Sequence, residues 1–199
     1  VGFDNNDLST IWDEALEIED DNFDVDKELQ KIKTPKTKLG DLFQLGSHRL
    51  LCGDSTDLDT VKKLVGKTRI DMVYSDPPYN IRLNYNTGVG TTGKYGGHKT
   101  KDNKSAADYE GFLKKTLENA LAVSKPDSHF FYWCDENYIG SVQGIYKDLA
   151  IKHQRVCLWI KNNPNMTPQL AFNKIYEPCI YGIRGKPYLS PSLKNFHEI

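Results

Sequence analysis

The segment Asp76-Pro77-Pro78-Tyr79 constrains the fold more than any other part of the chain, because it directly follows the apolar run of residues 70–75. A β-branched and aromatic run that ends in an acid and two prolines is typical of a buried strand followed by a rigid loop. The prolines fix φ at about −65° and remove two N–H donors. Ligands of open α/β sheets bind at the carboxyl ends of strands. The segment therefore predicts fixed oxygen acceptors beside an aromatic ring, which suit a planar substrate with an amino group, such as a nucleobase.

The order of apolar runs and helical patterns predicts an α/β fold. Helices are expected at residues 58–65, 109–123 and 137–149, the first ended by Gly66 and the second preceded by a capping box that begins at Ser105. Strands are expected at residues 42–45, 49–52, 70–75, 130–134, 155–160 and 180–183. Alternating strands and helices indicate a mostly parallel sheet with both faces covered, in which residues 70–75 form the central strand.

Asp76-Pro77-Pro78-Tyr79-Asn80 resembles motif IV of the amino-group DNA methyltransferases that use S-adenosylmethionine. Residues 51–55 resemble motif III of that family, and three later segments follow in the order of its strands: 130–134, 156–163 and 176–182. The resemblance covers about residues 40–187. It implies a Rossmann-like methyltransferase fold in the permuted order, with motif IV ahead of the cofactor motif. Within this family, the chain is similar to phage-type adenine methylases that are joined to a ParB-like domain.

The resemblance also assigns chemical roles. Asp76, Pro77, Pro78 and Tyr79 would be catalytic: the Asp76 carboxylate and the Pro77 carbonyl would accept hydrogen bonds from the N6 amino group of adenine and free its lone pair for the methyl group. Tyr79 would stack on a base flipped out of double-stranded DNA. Asp54 and Asp76 would contact S-adenosylmethionine. Aspartate at the first motif position favours adenine over the alternative, the N4 group of cytosine.

Ordinary structural readings of the same residues stay open at this point. Asp76-Pro77-Pro78-Tyr79 could be a turn at the end of a strand, with Tyr79 an aromatic residue on the rim. Gly-Asp-Ser at Asp54 is a common turn in which the aspartate caps the backbone.

Charge is distributed unevenly along the chain. Residues 1–28 hold 11 of the 27 acids and one of the 26 bases, so the remainder holds 16 acids and 25 bases, a net charge of +9. This asymmetry predicts an acidic leader over residues 1–38, with a helix at 8–19 and a linker, followed by a basic catalytic domain over residues 39–199 that binds DNA. A solvated, disordered acidic linker is the alternative for the leader.

Residues 80–104 are predicted to form a long polar loop beside the site. Five side chains in it are candidate DNA contacts: Asn80, Lys94, Lys99, Lys101 and Lys104. Residues 88–93 match the glycine fingerprint of dinucleotide-binding folds, but they neither leave a strand nor open a helix, so we read them as loop. A surface loop without a role is the alternative.

One expected feature of the resembled family is missing from this sequence. The Gly-rich cofactor motif that should follow motif IV does not occur before Ile199. We therefore expect a fragment of a longer protein, a second polypeptide or second copy that completes the sheet, or a chain that has lost cofactor binding and keeps only DNA binding.

Composition excludes other classes of protein. Four separated cysteines without a Cys-x-x-Cys pair predict free buried thiols in a reducing, cytoplasmic compartment: Cys52, Cys134, Cys157 and Cys179. No apolar stretch approaches the roughly 18 residues of a membrane-spanning helix. No spacing of histidines, cysteines and acids predicts a metal site.

Overall fold

The computed structural model describes residues 36–81, 102–165 and 174–190 together with positions 27, 31 and 34, and for residues 162–165 and 174 it describes the backbone only. The predicted leader helix at 8–19 and the glycine-rich stretch at 88–93 lie outside these residues. All elements below belong to the compact unit Leu39–Ile199.

A hairpin and a short helix open this unit. Strands β1 (Leu42–Leu45) and β2 (His48–Leu51) pair antiparallel in a sheet of their own. Helix α1 (Leu58–Val65) begins after Asp57, whose carboxylate accepts hydrogen bonds from the first turn, and it ends at Gly66, whose φ of 68° suits glycine. The limits predicted for this helix are confirmed.

The main sheet has four strands in the order β3-β4-β6-β5: β3 (Ile70–Ser75), β4 (Ser124–Trp133), β5 (Lys152–Asn165) and β6 (Lys174–Arg184). β3 and β4 pair parallel, whereas β6 runs antiparallel to both β4 and β5. The prediction of a mostly parallel sheet is therefore wrong for the described residues. Only residues 166–173 separate β5 from β6, too few for the crossover that parallel neighbours need.

Another correction concerns the position of β3. It was expected at the centre of the sheet, but it lies at one edge of the four described strands. Hydrophobic patterning locates a strand along the chain without specifying its neighbours, so the order of strands could not be read from the run itself.

Two helices cover one face of the sheet. Helix α2 (Ala106–Val123) begins at Ser105, whose hydroxyl oxygen accepts a hydrogen bond from the Asp108 N–H at 3.1 Å, as the capping box predicts. Helix α3 (Ile139–Asp148) follows a short 3-10 turn, Glu136–Tyr138, so the single helix predicted at 137–149 is divided.

The hydrophobic core lies between these helices and the sheet. Tyr146 of α3 packs so closely on β6 that a Cβ at Gly182 would come within 2.6 Å of its ring, and its hydroxyl donates to the Ile180 carbonyl at 3.0 Å. The largest buried side chains of the core are Tyr109, Leu113, Leu117, Phe130, Tyr132, Val142, Tyr146 and Ile180.

The opposite face of the sheet, which we call the open face, is not covered by a helix of the described residues. Tyr74 and Trp159 are 62% and 55% exposed there, although both belong to β-strands. The prediction that both faces are covered is therefore wrong for the described part of the chain. That part also contains no helix long and apolar enough to cross a membrane.

Candidate functional site

The carboxyl end of β3 carries the acidic and proline-rich segment, as predicted. Asp76 is exposed, Pro77 is buried and Tyr79 is half-buried, so the segment enters the fold at Pro77 and presents Asp76 at the surface. A carboxylate at the end of a parallel strand is in the position where ligands of α/β proteins bind.

A tyrosine of α2 forms a hydrogen bond with the backbone of this segment. The Tyr109 hydroxyl donates a hydrogen bond of 2.6 Å to the Pro78 carbonyl, and the Tyr109 ring meets Tyr138 edge-on with the centroids 4.5 Å apart. Burial raises the pKa of the Tyr109 hydroxyl, so it remains protonated and keeps donating. The Pro78 carbonyl is therefore engaged within the protein, while no described residue donates to the Pro77 carbonyl.

Tyr79 lies between two carboxylates. Its hydroxyl is 3.5 Å from Glu177 Oε2. The pKa of Tyr79 lies well above its usual value, first because the ring is partly buried and then because the hydroxyl faces Asp76 and Glu177. Tyr79 is thus a neutral donor between two anions.

Glu177 of β6 and Lys161 of β5 were not predicted as site residues. Their side chains form an ion pair, and the Lys161 ammonium lies 5.1 Å from the centroid of the Trp159 ring. Strand pairing explains the cluster, because Glu177 lies opposite Trp159 in the β5–β6 register. The sequence offered one signal: Glu177 belongs to the segment 176–182 that resembles a family strand.

Two grooves meet at Asp76, Tyr79 and Glu177. One, on the open face, has a volume of about 610 Å³ and is lined mainly by aromatic rings, among them Tyr74, Phe131, Trp133 and Trp159. The other has a volume of about 410 Å³ and is lined by residues 76–79 with Ile81 and Asp102. Planar apolar walls beside fixed carboxylates can hold a flat molecule that carries hydrogen-bond donors or positive charge.

Asp54 occupies a turn before α1. Its Oδ1 accepts from the Thr56 N–H at 2.8 Å and from the Thr56 hydroxyl at 2.7 Å. This is the capped turn that the sequence allowed as an alternative. No hydrogen bond between described residues links Asp54 with Asp76, and the exposed carboxylate has a second oxygen that makes neither of these bonds.

Asn80 and Lys104, two of the predicted DNA contacts, bind each other in the described structure. The Asn80 side chain accepts from the Lys104 N–H at 2.7 Å and donates to the Lys104 carbonyl at 3.1 Å. The Lys104 ammonium lies 5.7 Å from the centroid of the Phe112 ring. The other three candidate contacts, Lys94, Lys99 and Lys101, lie outside the described residues.

The four cysteines are free thiols, as predicted. Cys134 and Cys179 are also buried as predicted, whereas Cys52 and Cys157 are partly exposed, so the prediction of burial is wrong for these two. Burial raises the pKa of Cys179 to about 12, which keeps that thiol protonated and unreactive.

Comparison with known protein families shows to which family the chain belongs. Residues 70–198, which include the site at Asp76, match the N6/N4 family described as DNA methylase. The chain belongs to this family. S-adenosylmethionine is the methyl donor of the DNA methylases.

Similarity to individual proteins is more distant. No curated protein matches the chain. The chain is similar to two solved structures, the M1.HpyAVI–SAM complex and M1.HpyAVI, at 14% identity and TM-scores of 0.48 and 0.46. These alignments cover 73% and 72% of this chain, which spans 61% of the length of either structure.

Proposed function

We propose that this DNA methylase transfers a methyl group from S-adenosylmethionine to the N6 amino group of adenine in double-stranded DNA, after the base has been flipped out of the duplex. The observation that carries the proposal is the placement of Asp76 beside Tyr79 where β3 ends, with an aromatic groove next to both. A methyl donor cannot reach an amino group that is stacked and paired inside a duplex.

The proposed acceptors for the amino group are the Asp76 carboxylate and the Pro77 carbonyl. The Pro78 carbonyl is already bonded to Tyr109. Two acceptors fixed on one rigid loop would draw the amino hydrogens to one side and leave the nitrogen lone pair directed to the other side. The adenine nitrogen is a poor nucleophile because its lone pair is delocalised into the ring, so this arrangement lowers the barrier by preorganisation.

Tyr79 is the proposed stacking surface for the flipped base. Its ring is half-buried and its hydroxyl is held between Asp76 and Glu177, so the ring is presented in one orientation. Stacking of a base on an aromatic side chain contributes about 1–3 kcal/mol, comparable to the few kcal/mol that unstacking costs.

S-adenosylmethionine supplies an electrophilic methyl group on a positively charged sulfur. The open-face groove fits such a molecule chemically, because Tyr74 and Trp133 offer π faces and Asp76 offers a carboxylate, while Glu177 is paired with Lys161. Asp54 is the proposed partner of the adenine moiety of the cofactor. Its exposed second oxygen is the group that we assign to this contact.

The proposed contacts with the DNA phosphates are four lysines after residue 80. The excess of bases after residue 28 supports this part of the proposal. The four are Lys94, Lys99, Lys101 and Lys104. Four features stay predictions: an acidic leader over residues 1–38, a permuted Rossmann-like domain over 39–199, a cytoplasmic location and a likeness to ParB-linked phage methylases. A homodimer or a complementing chain is also still a prediction; the feature that favours it is the outer edge of β3, with which no described strand pairs.

The test compares two aspartates of the same strand region. Asp76→Ala should lower the rate of methyl transfer to a DNA duplex by a factor on the order of 10²–10³, the usual effect of removing one preorganised group at a reacting centre, while DNA affinity is kept. Asp71→Ala is the matched control, because Asp71 is exposed and the contact it makes among the described residues is an ion pair with Lys125 at 2.6 Å.

The readout is the methylated nucleoside, identified by mass spectrometry after digestion of the DNA. N6-methyladenine from the wild-type chain and its loss in Asp76→Ala support the proposal. N4-methylcytosine would favour the cytosine alternative. Transfer that is unaffected by Asp76→Ala, or DNA binding without any transfer, would contradict a catalytic role in this chain.

A further inference from the structure

Asn80, directly after the tyrosine of the site, has an unusual backbone. Its φ is 58°, and in the described part of the chain only one other non-glycine residue, Ala150, has a positive φ. Most residues avoid this left-handed region, and asparagine is one of the few that enter it, because its short polar side chain can form hydrogen bonds there. A residue held there persists because surrounding contacts fix it.

Four hydrogen bonds fix Asn80. Its backbone N–H donates to Asp102 Oδ1 at 2.7 Å, and its side-chain oxygen accepts from the Lys104 N–H at 2.7 Å. The side-chain amide uses both of its hydrogens, one to the Lys104 carbonyl at 3.1 Å and one to the Tyr138 hydroxyl at 3.0 Å. Both amide hydrogens of Asn80 are thus used within the protein. The side chain therefore stabilises the backbone around the site and has no amide hydrogen left to donate to a DNA base.

The same contacts reach both sides of Tyr79. On one side, Tyr109 bonds the Pro78 carbonyl, and on the other side Asp102 bonds the Asn80 N–H. These two groups belong to the two planar peptide units that flank Tyr79. When both planes are anchored, φ and ψ of the residue between them are fixed, and so is the direction of its side chain.

We infer that Asn80 is a positioning residue, which fixes the backbone at Tyr79 and thereby the ring on which the target base stacks. The inference rests on the proposed function and adds a residue whose role is indirect. It replaces the DNA contact that the sequence suggested at Asn80.

The first test removes the side chain without straining the backbone. Asn80→Gly can adopt the left-handed φ without strain, but of the four bonds it keeps only the N–H bond to Asp102, so residue 80 and the peptide plane next to Tyr79 are no longer held in one conformation. Displacement of a stacking group by about 1 Å is worth on the order of 10²-fold in rate, so kcat at saturating DNA should fall by that order while Kd for DNA stays at the wild-type value. Ala150→Gly is the matched control: it also places glycine at a positive φ, with the wild-type rate expected.

A DNA contact would give the opposite pattern. In that case Asn80→Gly would weaken DNA binding and leave kcat at saturating DNA unchanged, and this result would overturn the inference.

A double-mutant cycle tests the connection through Tyr138. Tyr138→Phe removes the hydroxyl that accepts from Asn80 and keeps the ring that packs on Tyr109. The single variant should lower kcat by less than Asn80→Gly does, and it should cause little further loss in the Asn80→Gly background, because both changes remove the same interaction. Independent, multiplicative losses would contradict the assignment.

Hydrogen exchange separates failure of this inference from failure of the proposed function. If the wild-type chain makes no methylated base, the proposed function fails, but the anchoring is still measurable at the Lys104 N–H. Its protection should be lost in Asn80→Gly and kept in Ala150→Gly. Protection that survives in Asn80→Gly would overturn the inference whatever the activity.

Discussion

The two faces of the four-stranded sheet differ strongly in exposure to solvent, although similar residues form both of them. Along β4, Phe130 and Tyr132 point to the helices and are 0% and 1% exposed, while the alternate residues Phe131 and Trp133 point to the open face and are only partly buried. Both sets are aromatic. The helix-covered face closes the core through α2 and α3, whereas the open face supplies the walls of the groove beside Asp76.

Within a single strand, the residues that face the helices therefore contribute to stability, and the alternate residues on the open face contribute to function. A large apolar side chain on the covered face contributes by leaving water and by close packing. A similar side chain on the open face contributes little to the folding of this unit, because it stays in contact with solvent. An exposed apolar patch of this kind indicates a binding surface, and this one adjoins the proposed active site.

The largest expected effect is on stability, in a comparison between the faces. Leu117→Ala, at a fully buried position of α2, should lower the free energy of unfolding by about 2–5 kcal/mol. Trp159→Ala, at a side chain that is 55% exposed, should lower it by less, about 1–2 kcal/mol, since part of the ring is still removed from water. Urea denaturation followed by circular dichroism measures both. Equal losses would mean that the open face is buried in solution.

Local signals in the sequence were sufficient for the parts of the fold that they encode directly. Gly66 marks the end of α1, Ser105 marks the start of α2, and the apolar run of β3 has the predicted limits. Caps and turns act over a few residues, so their meaning survives in any tertiary context.

Long-range features could not be read in the same way. Apolar runs do not specify strand direction, so the reversed β6 and the edge position of β3 were missed. At the site, the sequence identified the segment from Asp76 to Tyr79 through its resemblance to a family motif. It gave no sign of the contact between Glu177 and Tyr79, because only strand pairing brings these residues together, and none of the partners of Asn80, which lie more than 20 residues away in the chain.

A smaller effect is expected from high pH, and it concerns the covered face. Burial raises the pKa of Tyr132 to about 12, above the value of about 10 for an unfolded tyrosine. The stabilising contribution is complete below pH 10 and is lost as the pH rises toward 12, because the unfolded chain ionises first. The free energy of unfolding should therefore fall over this range.

Tyr132→Phe isolates that contribution. The variant keeps the buried ring, loses the hydrogen bond with Thr116 at 2.7 Å, and should show a shallower fall in stability between pH 10 and 12 than the wild type. Denaturation at several alkaline pH values measures the slope. The same slope in both proteins would contradict burial of the Tyr132 hydroxyl.

The smallest effect concerns the rates at which thiols react, without any change to the protein. Cys134 is fully buried on the covered side, while Cys157 is partly exposed on the open face. A thiol reagent should modify Cys157 in the native state, but it should reach Cys134 only when the core opens, so the two rates differ by the equilibrium constant for that opening. Peptide mapping after timed labelling measures both. Equal rates would mean that Cys134 becomes accessible as readily as Cys157. The contrast between the two faces would then describe the packing of one conformation and would not reflect a difference in stability.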